Sequence, residues 1–138
     1  MKKNNVHGIL LLDKPKGITS NKALQKVKNI YNAKKAGHSG TLDPLATGLL
    51  PICFGSATKT VPYLMDSSKT YNVIAKLGEK TTTGDSEGKI INVSDVEIKI
   101  TSHKLNKVLS SFLGINKQIP PMHSALKVNG NPLYKLSH

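Results

Sequence analysis

Residues 8–12 (GILLL) form an uninterrupted apolar run, and KPKG follows at 14–17; together they predict a buried strand closed by a turn. Beyond the turn, Ala23, Leu24, Val27, Ile30 and Tyr31 recur at helical spacing, with Ser20 placed to cap the helix and Gly37 to stop it. Such a helix turns its lysines outward. Residues 49–54 (LLPICF) predict a short buried strand that Pro51 pushes towards a sheet edge or a bulge. A helix is expected over 58–65 provided that Pro62 falls in its first turn, where no internal hydrogen bond is lost. Tyr71, Val73, Ala75 and Leu77 occupy alternate positions, the period of a half-buried strand, and a polar loop (78–88) and a further strand (89–93) follow. Ser102 opens a helix whose stripe of Leu105, Val108, Leu109, Phe112 and Leu113 ends at Gly114. Asn129 and Gly130 separate 124–128 from 132–136 as a hairpin turn.

Strands arriving in adjacent pairs with only two or three helices point to an α+β fold on a mainly antiparallel, mixed sheet flanked by helices, rather than to a doubly wound sheet. No repeat or low-complexity linker interrupts the 138 residues, so one domain, or one piece of a domain, is expected. A chain of this length buries about two-thirds of its unfolded surface. The longest early apolar run, 9–12, is far short of the roughly 18 residues a membrane span needs, so no membrane partner is expected. The single cysteine, Cys53, can close no intramolecular disulfide and supports no Cys-rich zinc site, which suits a reducing cytoplasm.

Charge narrows the choice of partner. All twenty basic residues are lysine, against eight acids, for a net charge of +12; residues 1–42 hold nine of the lysines and one acid, Asp13. Lysine brings a hydrated point charge suited to phosphate backbones but lacks the planar fork that reads carboxylates or guanine edges in pairs. An RNA or DNA partner held through its backbone follows, with a merely solvated lysine-rich surface as the other reading.

The sequence contains neither GxGxxG nor GxxxxGK[ST], and neither Ser39 nor Ser124 sits in a GxSxG elbow. His7, His38, His103, His123 and His138 form no HExxH or HxH pair, so no metal site is expected. What remains is the small-residue loop GHSGTLDPLATG at 37–48, which carries Asp43 and Pro44 between glycines ahead of a buried strand. A carboxylate so placed can reach from a rigid scaffold towards a ligand, although Asp-Pro is equally a common turn.

That loop resembles the signature loop of the TruB family of pseudouridine synthases. Four further stretches are similar to motifs of the same family, in the same order: LDKPKG at 12–17, KTYNVIA at 69–75, TTGDSEG at 82–88 and PPMHSALK at 120–127. The resemblance implies a pseudouridine synthase fold, here as the N-terminal part of the catalytic domain over 1–138, without the C-terminal half or the small RNA-binding domain. It implies isomerisation of uridine in the T-loop of tRNA, with Asp43 as nucleophile and no metal, nucleotide or flavin cofactor. Tyr71 would stack on the flipped uracil and help remove its C5 proton, and His38 would fill the space the nucleotide vacates. Lys14 and Pro15 would support the pocket, and Asp85 would order its neighbouring loop. Family members supply, from their second half, an arginine that pairs with the nucleophile; this chain contains no arginine. Inactivity of the isolated chain is therefore expected, and a monomer for the complete protein. The competing class is a non-catalytic, lysine-rich RNA-binding module or RNA chaperone.

Overall fold

The structure, a computed structural model, describes residues 2–94, 99–119, 127–128 and 131–132. The chain divides into two compact units, residues 1–71 and 72–138.

The first unit is built on three antiparallel strands, β1 (Gly8–Lys14), β2 (Ala36–His38) and β3 (Gly48–Phe54), in the order β1-β3-β2. Gly8 pairs with Phe54 at one end of the β1–β3 ladder and Lys14 with Gly48 at the other. Helix α1 (Ser20–Ile30) covers one face: Ala23, Leu24 and Val27 meet Leu50, Ile52 and Phe54, with Leu10, Leu12 and Leu42 packed around them. Alternation along β3 explains the arrangement, since positions two apart share a face. Ile52 is fully buried, and truncating such a residue to alanine typically costs about 2–5 kcal/mol.

Several expectations shift in position. Thr19, not Ser20, caps α1, its hydroxyl accepting from Lys22 N. Asn32, not Gly37, ends the helix: at φ 47° it adopts the left-handed turn, with Asn32 N donating to Asn29 O and Ala33 N to Lys28 O. Gly37 lies inside β2. Pro51 sits in the central strand rather than at an edge. Its carbonyl accepts from Ser39 N, on the β2 side. The N–H that proline lacks would point to that same side, just past the end of β2 at His38, so no ladder bond is lost. A 3-10 turn (Gly55–Thr60) leads into α2 (Val61–Asp66), with Pro62 in the first turn as required.

In the second unit, β4 (Glu79–Thr81) pairs antiparallel with β5 (Ile90–Val93). The 89–93 strand is thus present, and its partner comes from the stretch read as a polar loop. The strand expected at 71–77 is not formed. Among the described residues no strand pairs with it, and a lone strand leaves its backbone groups to water; Val73 and Ile74 are accordingly exposed. Helix α3 (Ser102–Ser110) is capped by Thr101 rather than by Ser102. Of the expected stripe only Leu105, Val108 and Leu109 lie on the helix, which ends at Ser110 rather than running to Gly114, and these three, with Phe112 and Leu113, are all exposed. Two short strands, β6 (Lys127–Val128) and β7 (Asn131–Pro132), pair antiparallel; the turn expected at Asn129 and Gly130 lies outside the described residues. Residues 120–126 of the PPMHSALK motif, with His123 and Ser124, and residues 133–138 lie outside the described residues. No helix among the described residues is long and apolar enough to cross a membrane.

Candidate active site

Asp43 opens a turn at the Gly48 end of the first unit's sheet. Ala46 N donates to the Asp43 carbonyl at 3.1 Å, and Pro44 takes the second turn position, for which its fixed φ is suited. Asp43 itself is exposed. The return to β3 passes through Gly48 at φ 115°, a backbone conformation side-chain-bearing residues rarely hold.

What distinguishes this loop from an ordinary surface turn is that the residues on both sides of Asp43 are anchored from within. On one side stands Ser20, only 1% exposed: its Oγ donates to Leu42 O at 3.0 Å and accepts from Leu42 N at 2.9 Å. On the other is Lys14, fully buried at the end of β1, whose Nζ donates to Ile18 O at 2.8 Å, Pro15 O at 3.0 Å and Pro44 O at 3.5 Å. Gly17 N also donates to Pro44 O, at 2.8 Å. The three ammonium protons thus have three carbonyl acceptors. Asp43 is held between two fixed backbone points while its own side chain faces solvent. That is the geometry a nucleophilic carboxylate needs, since it must be positioned without being consumed by an internal partner.

The sequence reads Ser20 as a helix cap and does not place it against Leu42. The available signal was two adjacent hydroxyl residues, Thr19 and Ser20, at a helix start where one suffices. Ser20→Ala removes both bonds to Leu42 and is expected to cost about 1–2 kcal/mol locally. Amide exchange at Leu42 should then accelerate by about tenfold or more, and unchanged exchange there would mean that the loop is held without the serine.

Of the other residues singled out, Lys14 reaches the residue after Asp43 through the Pro44 carbonyl, and the Pro15 carbonyl accepts from the same ammonium. His38 closes β2 opposite Ile52; its Nδ1 is buried and has no hydrogen-bond partner. Tyr71 follows α2, outside any strand, and is 63% exposed. Asp85, in the second unit, lies in the loop between β4 and β5: its Oδ1 accepts from Thr83 Oγ1 and from Glu87 N, and its carbonyl accepts from Thr81 Oγ1. These bonds close the loop on itself. Among the described residues no three His, Cys, Asp or Glu side chains converge as a metal site would require.

The family model described as TruB family pseudouridylate synthase (N terminal domain) matches residues 28–138. The chain belongs to the TruB family. A tRNA pseudouridine synthase B of Buchnera aphidicola is 62% identical over 134 residues, covering 97% of this chain and 42% of the relative. The enzyme of the same name from Blochmanniella pennsylvanica is 56% identical over 135 residues, covering 98% of this chain and 51% of the relative. This TruB chain therefore spans about half, or less, of the length of the curated relatives it matches. Among solved structures, a Cbf5-Nop10-Gar1 complex contains a chain with 31% sequence identity and a TM-score of 0.60, over 88% of this chain and 31% of that one. The α+β architecture of short antiparallel ladders and helices is accordingly pseudouridine synthase-like.

Proposed function

We propose that this chain is the N-terminal part of a cytoplasmic tRNA pseudouridine synthase, acting on a uridine of the T-loop with Asp43 as the nucleophile. The reading is supported above all by the exposed Asp43 carboxylate on a loop anchored at both neighbours by the buried Ser20 and Lys14, in a chain of the TruB family. The carboxylate attacks the nucleoside and the bond from ribose C1′ to N1 breaks. The freed uracil turns in place and rejoins C1′ through C5; the C5 proton is lost and N1 gains one. Atoms and electrons balance without a redox partner. Asp43 is released in the last step, as nucleophilic catalysis requires.

A uridine inside a folded loop must be extruded before it can react. Tyr71, exposed at the end of the first unit, supplies an aromatic face for the extruded base. His38, half-buried where β2 ends, fills the space that the extruded nucleotide leaves. Lys14 and Pro15 support the catalytic loop, and Asp85 orders the β4–β5 loop.

The test uses a chimaera in which residues 1–138 replace the matching part of the Buchnera relative, and it measures tritium release from tRNA labelled at uridine C5. Release supports the reading. A chimaera that binds tRNA but frees no tritium supports the non-catalytic RNA-binding class instead. In an active chimaera, Tyr71→Leu should slow single-turnover release more than it weakens binding, because one stacking platform is worth about 1–3 kcal/mol. His38→Ala should chiefly weaken binding of folded T-loops. The same pattern for both variants would refute this division of roles.

A further inference from the structure

His7 stands just ahead of β1, and Ser56 lies on the 3-10 turn that follows β3, at the end of the sheet away from the Asp43 loop. The proposed reaction uses neither residue. His7 Nδ1 is 3.0 Å from Ser56 N and 2.9 Å from Ser56 Oγ. A backbone N–H can only donate, so the ring nitrogen facing it must accept, and an imidazole nitrogen accepts only when it carries no proton. The contact therefore selects the neutral ring with its hydrogen on Nε2.

Room for the ring is built into the turn. A Cβ on Gly55 would come within 2.6 Å of Nδ1 and 2.8 Å of Cε1, so a side chain there would push the imidazole off Ser56. Gly55 N donates to Lys35 O at 3.0 Å, which fixes the turn against the start of β2.

The contact with Ser56 fastens one end of a strap. Its other end is Asn4: Asn4 N donates to Asn32 O at 2.8 Å, Asn4 Nδ2 to Tyr31 O at 3.2 Å, and Lys34 N to Asn4 O at 3.0 Å. Between these two fastenings Val6 packs against the core. A proton on Nδ1 turns the acceptor into a donor, and the Ser56 N–H then faces another N–H. Ser56 Oγ, which accepts as well as donates, is left as the ring's partner. The charged ring also stands among cations. Lys34 and Lys35 from the stretch before β2 and Lys59 from the 3-10 turn line the cleft beside it, Lys2 and Lys3 precede it on its own segment, and among the described residues no Asp or Glu lines the cleft.

We propose that His7 is a proton-operated latch on the N-terminal segment. Neutral, the ring ties the segment to the turn after β3; protonated, it gives up the Ser56 amide, and residues 5–7 lift from that turn. The ring is exposed, so the proton comes directly from water, and histidine is the side chain whose charge changes between about pH 5 and pH 8. The hold is thus full on the alkaline side of that range and lost as the pH falls through it.

The experiment follows the 138-residue chain by NMR at about pH 8 and about pH 5. Ring nitrogen spectra at the higher pH should show His7 with its hydrogen on Nε2. Acidification should lower the protection of the Ser56 amide against exchange, corrected for the intrinsic rate, by about three- to tenfold, the worth of one hydrogen bond. The Ala23 amide, bonded to Thr19 O at the start of α1, should keep its protection. His7→Asn offers an oxygen acceptor that does not titrate in this range, and it should hold the Ser56 amide equally at both pH values. His7→Ala should leave that amide weakly protected at both. The latch is overturned if protection at Ser56 is the same at both pH values in the parent, if His7→Asn loses it as the parent does, or if His7→Ala keeps the parent's protection at the higher pH. A ring with its hydrogen on Nδ1 at that pH overturns it too, as does an equal loss at Ala23, which would mark a general loosening in acid.

Discussion

Replacing Asp43 by asparagine is expected to reduce pseudouridine formation by the active chimaera to below about one per cent of the parent while RNA affinity stays within a few-fold. The amide keeps the size of the carboxylate and its capacity to accept hydrogen bonds, so the loop has no reason to move. Its anchors are elsewhere: Ser20 holds the Leu42 backbone and Lys14 the Pro44 carbonyl, and neither bond involves the Asp43 side chain. What is lost is the proposed nucleophile. Since the effect falls on the chemical step and not on ground-state binding, it should appear in single-turnover rates with little change in the affinity for tRNA. Turnover above that level would remove Asp43 from the covalent role, and a parallel collapse of affinity would make it a binding residue.

The second large effect is expected at Lys14. Lys14→Met preserves an unbranched chain of similar volume but deletes three donors from a fully buried position. Two opposing contributions decide the sign. Burying an ammonium without a carboxylate partner is costly, and methionine relieves that cost. Against it, the carbonyls of Pro15 and Ile18 lose this partner, and buried acceptors left so cost about 1–3 kcal/mol each. Pro44 O keeps its bond from Gly17 N. The balance favours destabilisation of the first unit by about 2–3 kcal/mol, measurable by denaturant titration with amide exchange in β1 and β3 as the local readout. A change below about 0.5 kcal/mol would show that desolvation cancels the hydrogen bonds. Because the same ammonium reaches the residue after Asp43, the variant should also slow the chimaera's turnover beyond what its unfolded fraction explains.

Local pattern carried the elements whose stability is local or whose partners lie close in sequence. A strand at 8–12 and helices opening at Ser20 and Ser102 appear where their patterns place them, because one amphipathic face and one cap suffice to define them; Ile9 and Leu11 of the run read as buried are nevertheless exposed, and the second helix stops at Ser110, short of Gly114. The segment from Tyr71 to Leu77 had an equally clear period of two, yet period specifies only which side chains would share a face. Strand formation needs a neighbour to take the backbone bonds, and among the described residues there is none. The converse holds for Glu79–Thr81, a polar stretch made a strand by its pairing with Ile90–Val93.

The candidate site divides along the same line. Sequence by itself determined that a carboxylate, Asp43, stands beside a proline in a glycine-bounded loop, that the N-terminal stretch is strongly basic, and that the ordered motifs are those of the TruB family. These are properties of residue type and spacing, and no folding is needed to read them. Only the tertiary structure decided what holds the loop. Lys14 is 30 residues from Pro44 and Ser20 is 22 from Leu42, and nothing in a lysine or a serine announces whether it will face water or a carbonyl that far along the chain. The same is true of Pro51, tolerated in a central strand because β2 stops one residue short of it. Burial is settled when separate segments close over one another, and that closure turned a lysine read as pocket support and a serine read as a cap into the two anchors of the candidate active site.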